Sequence, residues 1–585
     1  MANAHFYLEA PPRLRAFVRA REASLILLAV LVGATAGLVV AAMSATTELL
    51  HVMFFNIPPG ARLSSLISVD PVRALLVPSI GGFVLGLAFL LKARWRAERE
   101  VDPIEANALH GGRMSFRDSI VVTGQTIWSS GVGASVGLEA GYTQLSSGLA
   151  ASLGRGFHLR RADQRVMVGC GAAGAIAGAF GAPLAGAFYA FELVLGGYTP
   201  STLTPVGVAA LMGYVVAHAF TPFSLGVVAA PVGDVMARDL AIASLLGLLA
   251  AMVGIGVMRG VSLCEVLFKG RVWSPLRPAI GGLFVGMLAL ITPQVLSSGH
   301  GALHMTGMMQ MTLGSIATIF VLKALASMIS LGSGFRGGLF FASLLLGAIG
   351  GRLFGTGLNA VLPTLELDPN VYAIIGMSAF SASVIGGPLT MTFIALETTG
   401  NLWLTTAVLI AVIISTQLTR ELFGYSFATW RFHLRGETIR SAADVGWVRD
   451  LTVGRMMRSD VATVNAAMPI ADFVRKFPLG SKTQVVAVDG NGRYAGMITV
   501  ADAHGTRGAK AVTAGDIAHH RDSTLLPFLN VKEAAAAFDR AEAESLAVVD
   551  SVQNRKVIGM LSEAHTLRRY AEESERRRSE LFGDL

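Results

Sequence analysis

Cysteine and charge are both scarce in this chain. Only Cys170 and Cys264 occur in 585 residues, both in apolar sequence, which excludes a disulfide framework and argues against a cysteine-held metal site. Charged residues make up 15%, where a soluble domain carries about 25%. A chain this poor in charge is not expected to be water-soluble along its whole length. No nucleophile-base pair, metal-ligating cluster or phosphate-cradling loop is legible in the more polar C-terminal part, so an enzyme and a metal centre are not expected. A cleavage site is missing too: Ala23 to Met43 is one long apolar run, read as a first membrane helix with its arginine-rich start inside.

What is present is apolar: 53% hydrophobic residues and a mean hydropathy of +0.58. The net charge of +8 does not point to nucleic acid. Its basic residues cluster at the ends of apolar runs, at Arg13 to Arg21, Lys92 to Arg99 and Arg155 to Arg165, the pattern of cytoplasmic loops in a membrane protein. Helical apolar stretches are expected near 23–50, 72–92, 117–131, 135–152, 165–180, 183–197, 202–221, 238–258, 276–292, 312–330, 338–355, 370–382, 388–399 and 402–419. Several fall short of the ~20 residues that cross a bilayer. Short, glycine-broken segments are tolerated there only inside protein or along an aqueous cavity. From Trp430 to Leu585 the composition turns to that of ordinary globular sequence.

Within the apolar part, Ser129 to Gly148 places one carboxylate, Glu139, among small residues. An ionisable group there is a functional candidate by default. The flanking glycines suggest exposed amides at a helix start, which form an anion site. The sequence also repeats. Gly181-Ala-Pro-Leu-Ala-Gly-Ala-Phe-Tyr-Ala-Phe-Glu192 recurs as Gly387-Pro-Leu-Thr-Met-Thr-Phe-Ile-Ala-Leu-Glu397, with the same spacing from Pro183 to Glu192 and from Pro388 to Glu397. Upstream of each lies a glycine-rich motif, Gly137-Leu-Glu-Ala-Gly141 and Gly332-Ser-Gly-Phe-Arg-Gly-Gly-Leu-Phe340. Paired interrupted helices in two halves point to a transport site at their junction, here shared between Glu139 and Phe340.

These residues resemble the CLC family of chloride channels and chloride/proton antiporters, from the first apolar helix through Tyr425. Gly137 to Gly141 is similar to the family's G-R/K-E-G-P gate motif, Gly338-Leu-Phe-Phe-Ala342 to its G-x-F-x-P motif, and Pro388 to Asn401 to its P-L-T…E-x-T-x-N stretch. The resemblance implies an all-α polytopic fold of broken and tilted helices in an inverted repeat. It implies a gating role for Glu139, whose carboxylate blocks the anion path until protonated, and an anion site from Gly137, Leu138, Gly338, the amides of Leu339 and Phe340, and the hydroxyl of Tyr425.

Three departures shape the expected mechanism. The serine motif G-S-G-I-P is replaced by Arg99-Glu-Val-Asp-Pro103, and Glu100 and Asp102 are expected to face cytoplasmic water or pair with Arg96 and Arg99. At the gate, Leu138 and Gly141 replace a basic residue and a proline. Leu193 stands where the family's antiporters carry a proton-relay glutamate, so the resemblance implies passive conduction, with proton-coupled exchange as the alternative. Glu192 and Glu397 are expected to be structural within their own repeats, and Lys323 to snorkel or pair.

Val448 to Arg569 reads as two similar units and resembles a tandem CBS α/β domain. Each has a polar lead, a helix and two strands, around Val485 to Asp489 and Gly496 to Asp502, then Leu546 to Asp550 and Gly559 to His565. Thr499 and Asp502 fit the family's ribose-binding pattern, whereas His565 replaces the second acid beside Ser562, so at most one adenine-nucleotide site is expected and no cofactor is required. The expected organisation is a cytoplasmic segment 1–22, a membrane domain 23–430 in halves 23–221 and 238–430, a linker 431–447, the CBS pair 448–569 and a charged tail 570–585. The family implies a homodimer in the bilayer with one pore per subunit, both termini cytoplasmic, in a bacterial inner membrane. Chloride and protons are the expected partners, not nucleic acid. A CBS-regulated cation channel would need rings of pore acids, and the membrane half offers few beyond Glu139, Glu192 and Glu397.

Overall fold

The computed structural model describes residues 10–15, 22–95, 100–220, 233, 235–308, 312–424, 426–433, 451–505 and 512–582. The chain forms two compact units, 1–444 and 445–585.

The first unit is helical, and every apolar stretch of the sequence carries a helix. Eight helices among the described residues are long and apolar enough to cross a bilayer, the longest being Ser24–Phe55 and Ala237–Arg271. Between them lie shorter helices, Pro183–Tyr189 with a π-helical continuation Ala190–Leu195, Pro369–Ile385 and Pro388–Thr399. Three described helices were not legible as apolar runs, Pro103–Leu109, His300–Met308 and Phe427–His433. The first has a local cause, since Asp102 caps it by accepting from the N–H of Glu105 and proline occupies its first turn.

The two halves carry corresponding series. Glu139–Gly156, Arg161–Phe180, Pro183–Tyr189 and Pro200–Phe220 in the first answer to Phe340–Val361, Pro369–Ile385, Pro388–Thr399 and Leu402–Leu422 in the second. Helices inside each half touch through small residues, as apolar helices in lipid must if they are to gain close packing. A Cβ on Gly174 would sit 3.0 Å from Ala36 Cβ and 3.1 Å from Ala209 O, so glycine there sets the distance between three helices.

The second unit is α/β. Strand β1 (Thr463–Asn465) pairs in parallel with β2 (Gln484–Val488), which pairs antiparallel with β3 (Tyr494–Thr499). Strands β4 (Ser545–Val549) and β5 (Val557–Ser562) form an antiparallel pair. The helices Ile470–Lys476 and Val531–Ala541 put Phe473 and Phe538 fully into the two cores. The charged run after Ser562 is the helix Glu563–Phe582.

Candidate functional site

The glycine motifs of the two halves meet. Gly137 N–H donates to Gly338 O at 3.0 Å, and Gly338 N–H returns the bond to Gly137 O at 3.2 Å, a short antiparallel bridge. One residue later each chain enters a helix, with Leu138 and Leu339 as caps that supply no side-chain bond. Glu139 and Phe340, the first helical residues, therefore start side by side with uncapped amides around them, the arrangement that attracts anions.

Glu139 fills that place itself. Its carboxylate is buried, 4% exposed, and Oε1 accepts the N–H of Phe341 at 2.8 Å, so a carboxylate from one half caps the helix of the other. Oε2 is buried without a hydrogen bond. One oxygen is held and the other is not. Behind the bridge, Ser135 N–H donates to Ser330 Oγ at 3.0 Å, and Ser129 Oγ accepts the N–H of Arg336 at 3.0 Å, so further serine bonds tie the halves together.

A cavity of about 290 Å³ opens on Glu139. Its wall includes Glu100, Asp102, Tyr189, Leu193, Arg336, Gly338, Leu339 and Phe340. Phe340 packs on Phe180 at 4.5 Å between ring centres and on Tyr189 at 5.9 Å, giving the cavity an aromatic side next to its polar one. The N–H groups of Gly137 and Gly338 are spent on each other's carbonyls; of the residues expected at the anion, Gly338, Leu339 and Phe340 line the cavity. Leu138 is buried as the cap of the Glu139 helix. Tyr425 lies outside the described residues.

Several expectations need correction. Glu100 does not turn to water: it is ion-paired to Lys92 and, at 2.6 Å, to Arg336, and both Glu100 and Asp102 line the cavity. Arg96 and Arg99 lie outside the described residues. Glu192 and Glu397 are structural, but not within their own repeats. Glu192 accepts from Leu389 N–H (2.8 Å), Thr390 N–H (2.9 Å) and Thr390 Oγ1 (2.6 Å), capping the helix of the second half. Glu397 accepts from Leu184 N–H (2.7 Å) and Ala185 N–H (2.9 Å), capping that of the first. Lys323 does not snorkel; it is fully buried and donates to the carbonyls of Val295 (3.1 Å) and Ser297 (2.8 Å). His300, not singled out in the sequence, stacks on Phe341 at 3.4 Å, behind the amide that holds Glu139.

In the second unit, Thr499 ends β3 opposite Gln484, and Asp502 is exposed in the first turn of the helix Val500–Gly505. Ser562 closes β5, and His565 lies in the helix that follows.

Comparison with known proteins agrees with this geometry. Residues 81–420 match the family model described as "Voltage gated chloride channel", and residues 448–504 match that of the "CBS domain". A relative described as "Putative chloride channel protein ClcB-like" from Ralstonia nicotianae is 35% identical over 339 residues, 56% of this chain and 77% of that protein. Among solved structures, a "slow cyanobacterial Cl-/H+ antiporter" superposes with a TM-score of 0.61 at 21% identity, over 70% of this chain and 97% of the other. A "eukaryotic CLC transporter" does so with a TM-score of 0.59 at 19% identity, over 94% of this chain and 98% of the other.

Proposed function

Because the chain belongs to the voltage-gated chloride channel (CLC) family and is a multi-pass integral membrane protein, we propose that it conducts chloride passively and that protonation of Glu139 opens the path. The observation that carries this reading is the bond from Phe341 N–H to Glu139 Oε1 at the junction of the halves. That amide is a site an anion would take, and the carboxylate is its competitor. A proton on Glu139 removes the charge assistance from the bond, and the side chain gives way to chloride. The cavity then leads the ion past Leu339 and Phe340. The assembly is a homodimer with one path in each subunit, and the CBS region takes adenine nucleotide at Thr499 and Asp502.

The test is chloride efflux from proteoliposomes at acidic and neutral pH, with Glu139→Gln and Glu139→Ala beside the wild type. Acid raises wild-type flux, whereas both variants run fast at either pH. A variant that keeps the wild-type pH response removes Glu139 from the gate.

A second reading, chloride/proton exchange, is favoured by one observation: the cavity that reaches Glu139 is also lined by the acidic residues Glu100 and Asp102. Glu192 is occupied as a cap and does not replace the acid absent at Leu193. The same experiment with proton recording separates the readings, since exchange drives protons uphill on a chloride gradient and conduction does not.

A further inference from the structure

Where the family carries a serine, this chain brings a carboxylate to the cavity, and the other half answers with a cation. Glu100 has a side chain 10% exposed and joins two cations, Lys92 through Oε1 and Arg336 through Oε2. Arg336 stands two residues before the Gly338 bridge. Its N–H is fixed on Ser129 Oγ at 3.0 Å, its guanidinium lies 5.7 Å from the centre of the Phe89 ring, and its side chain is 32% exposed. It lines the cavity together with Leu339 and Phe340.

A guanidinium on the wall of an anion path is a binding group for whatever passes. Its present partner is a carboxylate, the same kind of competitor that Glu139 is for the Phe341 amide. Lys92 lets Glu100 release Arg336 without being left an unpaired carboxylate in a largely buried place. Guanidinium is also weakly hydrated and presents a planar fork, which suits a planar oxyanion held by two parallel bonds better than a spherical halide.

We propose that Arg336 is the selectivity-determining cation of the cavity, and that Glu100 is its resident competitor, displaced by an entering monovalent anion, with nitrate preferred to chloride. This rests on the reading of the cavity as an anion path. Nitrate enters between Arg336 and the start of the Phe340–Val361 helix while Glu100 stays on Lys92.

The experiment uses the full-length protein in detergent and in proteoliposomes, with chloride and nitrate as probes. Binding is measured by calorimetry and flux by ion electrodes for wild type, Arg336→Gln, Glu100→Gln and the double variant. Arg336→Gln weakens nitrate binding at least about tenfold, equivalent to about 1.4 kcal/mol, and chloride binding by less. Glu100→Gln tightens both. The double variant, which leaves no unpaired carboxylate, stays weak for nitrate. A double variant that binds both anions as the wild type does would mean that Arg336 only balances Glu100, and the proposal is overturned; weakened binding in Glu100→Gln overturns it as well. The outcomes separate from those of the chloride reading. A folded wild type that passes neither anion defeats that reading, and this inference with it. A wild type that passes chloride, with unchanged affinities in Arg336→Gln, defeats only this inference.

Discussion

A single methyl group at Gly137 tests the gate without replacing its carboxylate. The backbone of Gly137 lies outside the left-handed region, so alanine is conformationally allowed there. The three atoms nearest a Cβ at this position all belong to the Glu139 carboxyl group, with its carbon and Oε1 both 2.5 Å away. These are the far end of a rotatable side chain, so the carboxylate swings out and the fold stays. What is lost is the bond from Phe341 N–H. A hydrogen bond to a charged group is worth about 1.5–3 kcal/mol, and each 1.4 kcal/mol is about a factor of ten. The blocked state of Gly137→Ala should therefore be depopulated roughly ten- to a hundredfold. Chloride efflux from proteoliposomes at neutral pH would rise towards that of Glu139→Ala, and its response to acid would flatten. At Gly338 a Cβ would lie 3.2 Å from Glu139 Oε2, a contact that a small shift relieves, so Gly338→Ala should have the weaker effect of the two. The decisive control is Gly137→Ala with Glu139→Ala. If the methyl acts through the carboxylate, the double variant matches Glu139→Ala alone. Flux well below that, or a wild-type pH profile in Gly137→Ala, would refute the reasoning.

The crossed caps predict a ranking of stabilities. Glu192 accepts three bonds and Glu397 two, so with bonds of one kind at about the same worth each, Glu192→Ala should cost roughly one and a half times as much as Glu397→Ala. Thermal unfolding in detergent gives the order, and a larger loss for Glu397→Ala would break the link between bond count and stability. In the CBS region, Asp502→Ala should abolish the rise in melting temperature produced by adenine nucleotide, whereas His565→Ala should leave it intact. An unchanged rise in Asp502→Ala would place the nucleotide elsewhere.

The apolar segments were legible because lipid imposes a composition on what crosses it. The halves were legible because Pro183 to Glu192 and Pro388 to Glu397 share one spacing. Glu139 stood out as a carboxylate with no local reason to lie among small apolar residues. What stayed hidden depends on contacts between distant residues. Nothing near Gly301 in the chain announces that its N–H is bound by Ser64 Oγ at the start of the His300–Met308 helix. Equal spacing in two repeats does not say that their glutamates are exchanged. Arg336 sat within the second glycine motif, but its meaning comes from Glu100, which belongs to the other half. Pro103–Leu109 was missed for a different reason: it is seven residues long and has no apolar run, although Asp102 and Pro103 mark its start.

These hidden contacts share a location. Glu139 on Phe341, Glu192 on Leu389 and Thr390, Glu397 on Leu184 and Ala185, and Glu100 on Arg336 all cross from one half to the other. In a medium where apolar contact gives helices little reason to choose one partner over another, charge-assisted bonds supply direction. The crossed glutamate caps fix the halves at one pair of broken helices, and the same chemistry at Glu139 and Glu100 meets a cavity. There, on the proposed reading, an incoming anion or a proton substitutes for one bonding partner. A bond that holds the halves together becomes a gate when its acceptor can be replaced by the transported ion. Glu192 and Glu397 lie off the cavity wall, which is why the substitutions at these two positions should change stability, whereas those at Glu139 and Arg336 should change what passes.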